Sequence, residues 1–293
     1  MKRSFKMEKL VPYIFILPFM FSFFAFFFFP SLYSLVLSFY RYRGFGPMSF
    51  VGFNNYVALL SYSSFRESIY NTFYYFIMHT IPTMVFAFVL AYMLQSKLLT
   101  RYHKIFKPML FLPQIVPIVA TALIWKIMLG RDFGAVNQVL GTSIDFLSAA
   151  SPIRKLSVVA MQIWRATGWY MIIFLAGLTT ISDEITDAAK IDGANVLQRI
   201  SRIILPMMKP IFLFAFVMNA IGAIRLYTEP NILLAVGTNI NEPNAMTMMN
   251  ILRRNLMGGS FGMAAAVGWV VFIIVVLIAI IQFKVLGSKE DNR

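Results

Sequence analysis

An all-α protein embedded in a membrane is the fold class this sequence predicts, and three observations carry it. The 293 residues are 59% hydrophobic and include 30 Phe, while 13% are charged, against about 25% in soluble domains. Mean hydropathy is +0.73. Six apolar runs reach the roughly 20 residues that a helix needs to cross a hydrocarbon core of about 30 Å. The 26 Lys and Arg outnumber the 12 Asp and Glu, yet they lie between the runs rather than along one hydrophilic face. A soluble globule has no means of hiding this much apolar side chain, so a soluble enzyme is set aside.

Taken in order, residues 1–10 form a short basic segment with Lys2, Arg3, Lys6 and Lys9. Residues 11–286 hold the spans, at about 11–39, 69–93, 109–129, 156–178, 203–226 and 263–283, and 287–293 form a tail. The first run is far longer than the roughly 7–15 apolar residues of a secretory signal and has no small-residue cleavage pattern, so it is read as a retained span. Pro12, Pro18, Pro30, Pro82, Pro113 and Pro117 are expected to bend or bound the spans, which neighbouring helices in a membrane tolerate. Asn54–Leu60 reads as a short helix in the outer interface, with Tyr56 at headgroup depth.

Charge sets the orientation. With the N-terminus inside, 15 of the 26 basic residues fall on the cytoplasmic side. The clusters weigh more than the total: Lys97, Arg101, Lys104 and Lys107 share one short connector with no acid. Cytoplasmic N- and C-termini follow. Basic residues at the edges of spans face anionic lipid headgroups. A nucleic-acid partner is excluded, because aromatics embedded in apolar runs cannot reach bases. With no Cys, thiolate zinc sites, iron–sulfur clusters, disulfides and Cys nucleophiles are absent.

The connector 179–206 reverses the charge pattern, since Asp183, Glu184, Asp187 and Asp192 are a third of all the acids. It reads as two short helices around a sharp corner. Ser182 is placed to cap the first, with Asp183 and Glu184 in the dipole-favoured first turn. Ile185, Ala188 and Ala189 form a small apolar face. Gly193 stands where a left-handed cap ends the helix, and the second helix runs from Ala194 toward Pro206. A plain membrane-surface hairpin is one reading; the Ala-Ala and Gly-Ala pairs also suit a knob seated in another protein's groove.

Asp187-Ala188-Ala189, then Asp192-Gly193-Ala194, then Leu205-Pro206 resemble the EAA loop of ATP-binding-cassette importer permeases. Further motifs follow in the same order along the chain: Phe50 to Tyr56, Phe111-Leu112-Pro113, Ala122 to Trp125, Ile163-Trp164 ahead of Gly168, and Phe174 to Leu178. They resemble the carbohydrate-uptake branch, similar to the maltose and glycerol-phosphate permeases. The resemblance implies a six-helix type I importer (MetI-like) fold, multi-pass in a prokaryotic inner or plasma membrane. It also implies a second homologous permease subunit, two copies of an ATPase subunit and an extracytoplasmic solute-binding protein. The EAA loop docks into the ATPase. Asp187 stands where the family usually has Glu, one methylene longer. The glycine-rich outer loop of the family is replaced here by Val236–Pro243, with Gly237 alone.

ATP and magnesium belong to the partner ATPase. Gly287-Ser288-Lys289 lacks the upstream glycine and the following hydroxyl of a phosphate-binding loop, so the chain is expected to bind no cofactor and to carry no catalytic residue. His79 and His103 are far apart with no carboxylate cluster, which argues against a metal.

Arg or Lys at mid-bilayer costs roughly 2.5–3.5 kcal/mol on insertion scales, so such residues face a cavity or a partner. Lys126 is read as snorkelling at the outer boundary. Arg225 either pairs with Glu229 four residues on or lines the transport path. The family resemblance places a solute cavity among the fourth and fifth spans, where Gln162, Arg165, Trp169 and Asn219 fall. Amide and guanidinium donors beside aromatic faces suit sugars. Trp169 and Tyr170 also suit simple packing or interface roles, as the Met246–Met249 run does. An importer of a sugar, oligosaccharide or sugar-like solute is the main reading. A permease for a non-sugar solute, or an ion-coupled carrier, is the alternative. The carrier requires acidic or His relays in the spans, whereas the acids here fall at their boundaries. An intramembrane enzyme lacks any paired-carboxylate, Ser–His or metal constellation.

Overall fold

A computed structural model describes residues 4–95, 102–235 and 243–287, with the side chains of 4–10 excepted. Lys97 and Arg101 of the basic connector, Lys2, Arg3, Lys289 and Arg293, and residues 236–242 of the outer loop lie outside the described residues.

The chain divides into two compact units, residues 1–62 with 252–270, and residues 63–251 with 271–293. In the first unit, α1 (Ser4–Phe23) continues through a π-helical stretch, Phe24–Phe28, into α2 (Phe29–Ser38). Pro30 supplies no N–H, and its ring crowds the carbonyl of Phe26. The preceding residue answers by slipping one position: the Phe29 N–H donates to the Phe24 carbonyl, an i→i−5 bond. This is a π-bulge with an identifiable cause. Beyond it, β1 (Tyr40–Arg41) pairs antiparallel with β2 (Ser49–Phe50), and α3 (Asn54–Ser61) is the short helix read in the sequence. The Asn55 amide donates to the Ser38 carbonyl at 2.7 Å, one that α2 leaves open at its end, and to the Tyr40 carbonyl of β1 at 3.0 Å.

The second unit is built on α4 (Ser63–Gln95), which packs along α8 (Arg154–Leu178). Ala87 and Ala91 of α4, four residues apart and fully buried, let the two backbones approach closely, the usual device where lipid supplies no hydrophobic drive between helices. Met171, Phe174 and Leu178 fill the other side, and the Phe174 ring meets Phe212 with centroids 4.6 Å apart.

Two apolar runs are not single helices. The run expected at 109–129 divides into α5 (His103–Ile115) and α6 (Ile118–Met128), bent by 95°. Val116 precedes Pro117 and is held extended, with ψ 133°, as the residue before proline prefers. After α7 (Ala135–Leu140), α8 and α9 (Asp183–Ile191) comes α10 (Val196–Arg199), then a π turn at Ile200–Ile204 and α11 (Leu205–Met207). Here the rule seen at Pro30 recurs: Leu205, just before Pro206, donates to the Ile200 carbonyl. The chain then bends by 74° into α12 (Lys209–Ile224). A short α13 (Thr228–Leu233), α14 (Met248–Met257) and α15 (Phe261–Leu286) complete the order. Among the described residues four helices are long and apolar enough to cross a membrane, or up to six if each bent pair is one span.

Candidate functional site

Two places in the second unit gather polar residues, a cavity among the helices and the acidic loop. The cavity, about 190 Å³ and open on one side, is lined by residues of α4, α5, α6, α8, α12 and α13. One face of α8 supplies much of its wall, because Gln162, Arg165, Ala166, Trp169 and Tyr170 recur at three- and four-residue spacing. Gly168 lets this face sit where it does. A β-carbon there would lie 1.8 Å from the Leu110 carbonyl oxygen, so only glycine allows α8 to press against α5. Trp169 stacks on Phe111 of α5, centroids 5.9 Å apart and planes 25° from parallel.

Asn219 reaches the cavity from α12, but its side chain is already engaged. Thr80 of α4 donates to its Oδ1 at 2.6 Å, and it shares a hydrogen bond with Tyr170. It therefore ties α4, α8 and α12 together besides forming part of the wall. Arg225 does not line the cavity; it caps the C-terminus of α12 and is exposed. The Arg225–Glu229 pair is not formed among the described residues, because α12 ends before Glu229 and α13 turns that side chain elsewhere. Glu229 enters the cavity. Burial pushes its carboxyl above the ordinary range, while its own backbone N–H, the Arg165 guanidinium and a Gln162 hydrogen bond pull it back.

Three cavity residues had no such role in the sequence reading: His79, Gln114 and Glu229. Gln114 carried a signal, a polar residue between Pro113 and Pro117 in an apolar run, where a broken helix turns side chains inward. Both ring nitrogens of His79, the Oε1 atoms of Gln114 and Gln162, and Arg165 Nε are buried without a hydrogen-bond partner among the described residues. Groups buried in this way carry a cost unless something pairs with them. The Met246–Met249 run is packing: Met246 and Met248 are buried, and the Met248 N–H donates to Thr72 Oγ1 at 3.0 Å.

The acidic loop folds on local rules. Ser182 occupies the N-cap of α9 in extended conformation, but its side chain makes no capping hydrogen bond. The C-terminus is closed more fully. Gly193 has φ +78°, the Ala194 N–H reaches the Ala189 carbonyl at 2.9 Å and the Gly193 N–H reaches Lys190 at 3.1 Å, which together form a Schellman motif. Nothing lies within 4 Å of a β-carbon at Gly193, so the backbone conformation, not crowding within the chain, demands glycine there. Asn195 then caps α10 in a reciprocal box with Gln198, both bonds 2.9 Å. Asp187 is ion-paired to Lys190 at 2.6 Å, both side chains more than half exposed, an arrangement that adds little stability.

Of the apolar face expected at Ile185, Ala188 and Ala189, Ala189 is buried, whereas Ile185 and Ala188 are exposed. The larger apolar tips stand at the corner instead: Ile191 is 87% and Leu197 76% exposed. Asp192 and Ala194 flank Gly193 at the turn. Leu205 and Pro206 lie in the bent joint between the loop and α12.

Residues 51–287 match the family model described as "Binding-protein-dependent transport system inner membrane component". The arabinooligosaccharides transport system permease protein AraP of Bacillus subtilis is 31% identical over 97% of this chain and 91% of its own length. The lactose transport system permease protein LacF of Rhizobium radiobacter is 32% identical over 91% of this chain and 90% of its own. In fold, the chain resembles a chain of a bacterial alginate ABC transporter crystallised with a pentasaccharide-bound periplasmic protein (TM-score 0.81, 24% identity), covering 96% of this chain and 94% of that one. The agreement of the family model along most of the chain, of full-length relatives and of the helical fold has one reading: this chain belongs to the family of binding-protein-dependent transport system inner membrane components.

Proposed function

We propose that the chain is one of two permease subunits of an ATP-driven importer for a sugar or oligosaccharide, and that the loop 179–206 receives the force of a separate ATPase. The observation that carries this reading is the construction of the loop. It is closed on itself by a Schellman turn and a capping box, yet it presents Ile191 and Leu197 outward at a rigid corner joined through Leu205-Pro206 to α12. A self-capped element with outward apolar tips suits a knob that moves as a unit in a partner's cleft. The sugar reading draws on the relatives' substrates and on a cavity that sets an aromatic face beside amide and guanidinium groups.

In this reading each bent pair is one span, giving six with both termini cytoplasmic, in a prokaryotic inner or plasma membrane. Asp187, Ala188, Ala189, Asp192, Gly193 and Ala194 meet the ATPase, which alone uses ATP and magnesium. Gln162, Arg165 and Trp169 line the solute path, and Asn219 braces it. The loaded binding protein docks outside, ATP closes the ATPase cleft, and the spans move as bodies to release solute inward. The chain does no covalent chemistry.

The test is ATP hydrolysis by the reconstituted complex of both permeases and two ATPases. Sugar-loaded binding protein is expected to stimulate it severalfold. Hydrolysis that ignores the loaded binding protein, or an ATPase that does not co-purify with this chain, overturns the reading.

A further inference from the structure

The end of the first unit that lies beyond α2 holds a cavity of its own, of about 510 Å³. Its walls come from β1 and the residues after it, from α3 and from the start of α15, all within that unit. These pieces are fixed to one another. The Asn55 amide ties α3 to the Ser38 and Tyr40 carbonyls, and the Phe261 N–H donates to the Tyr42 carbonyl at 3.0 Å. A β-carbon at Gly262 would lie 1.9 Å from the Tyr40 carbonyl oxygen, so only glycine lets α15 start this close to β1. The cavity is a built concavity rather than a gap between loose loops.

Arg41 and Arg43 line it, and neither guanidinium has an ion pair or hydrogen bond among the described residues. No acid of the unit compensates them. Residues 1–62 and 252–270 contain Glu8 alone, near the opposite end of the α1–α2 run, roughly 45 Å from Ser38 at 1.5 Å per residue. The apolar span Val11–Ser38 ends just before Arg41, which puts both arginines at the depth of lipid headgroups. Tyr33 and Val36 of α2 are exposed below them, and Phe50, Phe53 and Val57 are exposed around the rim. Aromatic side chains beside basic ones are the pattern of a membrane interface. Basic residues that set orientation collect on the cytoplasmic side, so in the proposed topology an acid-free arginine pair on the other face has a different use.

A phosphodiester suits this pocket, because guanidinium groups hold phosphate oxygens by paired, charge-assisted hydrogen bonds. A zwitterionic headgroup brings a cation, for which the pocket offers no carboxylate. A glycerol headgroup brings hydroxyls instead, and Asn54, Tyr62 and Ser260 in the wall are neutral donors and acceptors for them. The volume falls within the roughly 300–1,000 Å³ of small-molecule sites, enough for one headgroup, with the acyl chains along the exposed apolar side of α2.

We infer that this cavity binds the headgroup of an anionic phospholipid, with Arg41 and Arg43 on the phosphate, and that it prefers a polyol headgroup such as that of phosphatidylglycerol to a zwitterionic one. The bound lipid ties the β1–β2 hairpin, α3 and the start of α15 to the membrane surface.

The experiment is native mass spectrometry of the complex purified from membranes, delipidated in detergent and titrated with phosphatidylglycerol, phosphatidylcholine or glycerol phosphate. Phosphatidylglycerol is expected to bind at least tenfold more tightly than phosphatidylcholine, the preference that two basic residues supply at a membrane surface. Arg41→Gln with Arg43→Gln brings the two lipids to within about twofold of each other, since each removes one such contribution. Arg254→Gln, an exposed arginine of the same unit that does not line the cavity, leaves the preference unchanged. Arg43→Gln alone lowers it severalfold and serves as the second arm if the double variant does not assemble. Equal binding of both lipids to the wild type, or a preference that survives in the assembled variants, overturns the inference. Displacement of the lipid by glycerol phosphate makes the pocket a site for a soluble anion and overturns it as well. So does a double variant that keeps its lipid preference but loses stimulation by the loaded binding protein, which would assign this face to that protein.

Discussion

The cavity and the acidic loop are built on opposite principles. The cavity is assembled from six helices and depends on approaches between residues far apart in sequence, such as Gly168 against Leu110 and Thr80 against Asn219. Its polar groups point inward, and several have no hydrogen-bond partner among the described residues. The loop is assembled from consecutive residues, satisfies its own backbone, and points its apolar tips outward. The difference teaches where each gets its rigidity: the cavity from the packing of the bundle, the loop from its own caps. Substitutions in the first should therefore damage the fold, and substitutions in the second should spare the fold and damage communication.

The largest effect is expected at Gly168→Val. With the Leu110 carbonyl in the way, α8 cannot stay against α5, and overpacking of this kind exceeds the usual ~1–3 kcal/mol because the obstacle is backbone. Loss of the assembled transporter in size-exclusion chromatography checks this; wild-type yield would show that the two helices are not in register as described.

Gly193→Asp comes next. The left-handed turn costs an L-residue about 1–2 kcal/mol locally, and a charged side chain is set at the corner. Membrane insertion and sugar binding are expected to persist, while stimulation of ATP hydrolysis by the loaded binding protein falls at least tenfold. Ordinary stimulation would detach the loop from coupling.

Leu197→Asp sharpens the contrast further. Leu197 is 76% exposed, so the change should move stability by less than about 0.5 kcal/mol yet weaken retention of the ATPase severalfold in a pull-down. Equal effects on stability and retention would mean that the loop is not self-supporting.

The smallest effect on coupling is Thr80→Val, which leaves the buried Oδ1 of Asn219 without its Thr80 partner. Such an orphan costs about 1–3 kcal/mol, read as a lower midpoint of thermal unfolding with ATPase retention unchanged. An unaltered midpoint would remove Asn219 as a brace.

This contrast also explains what was legible in the sequence. The loop was readable because its determinants are neighbours: acids in the first turn, glycine at the corner, a proline at the exit. The exposed apolar tips are Ile191 and Leu197, whereas the spacing within the first helix points to Ile185, Ala188 and Ala189. In the cavity, Gln162, Arg165, Trp169 and Asn219 are the residues to which the family resemblance points, and all four line it. His79, Gln114 and Glu229 were not legible, because they arrive from α4, from the break before Pro117 and from a short helix beyond α12. The spacing Arg225 to Glu229 suggested an ion pair only if one helix ran through both. The breaks at Val116–Pro117 and Met208 were likewise hidden in runs that hydropathy reads as continuous.

The measurement that tests the central claim most directly is uptake of a radiolabelled sugar into proteoliposomes holding both permeases and the ATPase pair, with loaded binding protein outside and no ion gradient. Accumulation that requires ATP on the ATPase side, and that Gly193→Asp abolishes, is the expected result. Accumulation driven by a proton or sodium gradient without ATP would contradict it.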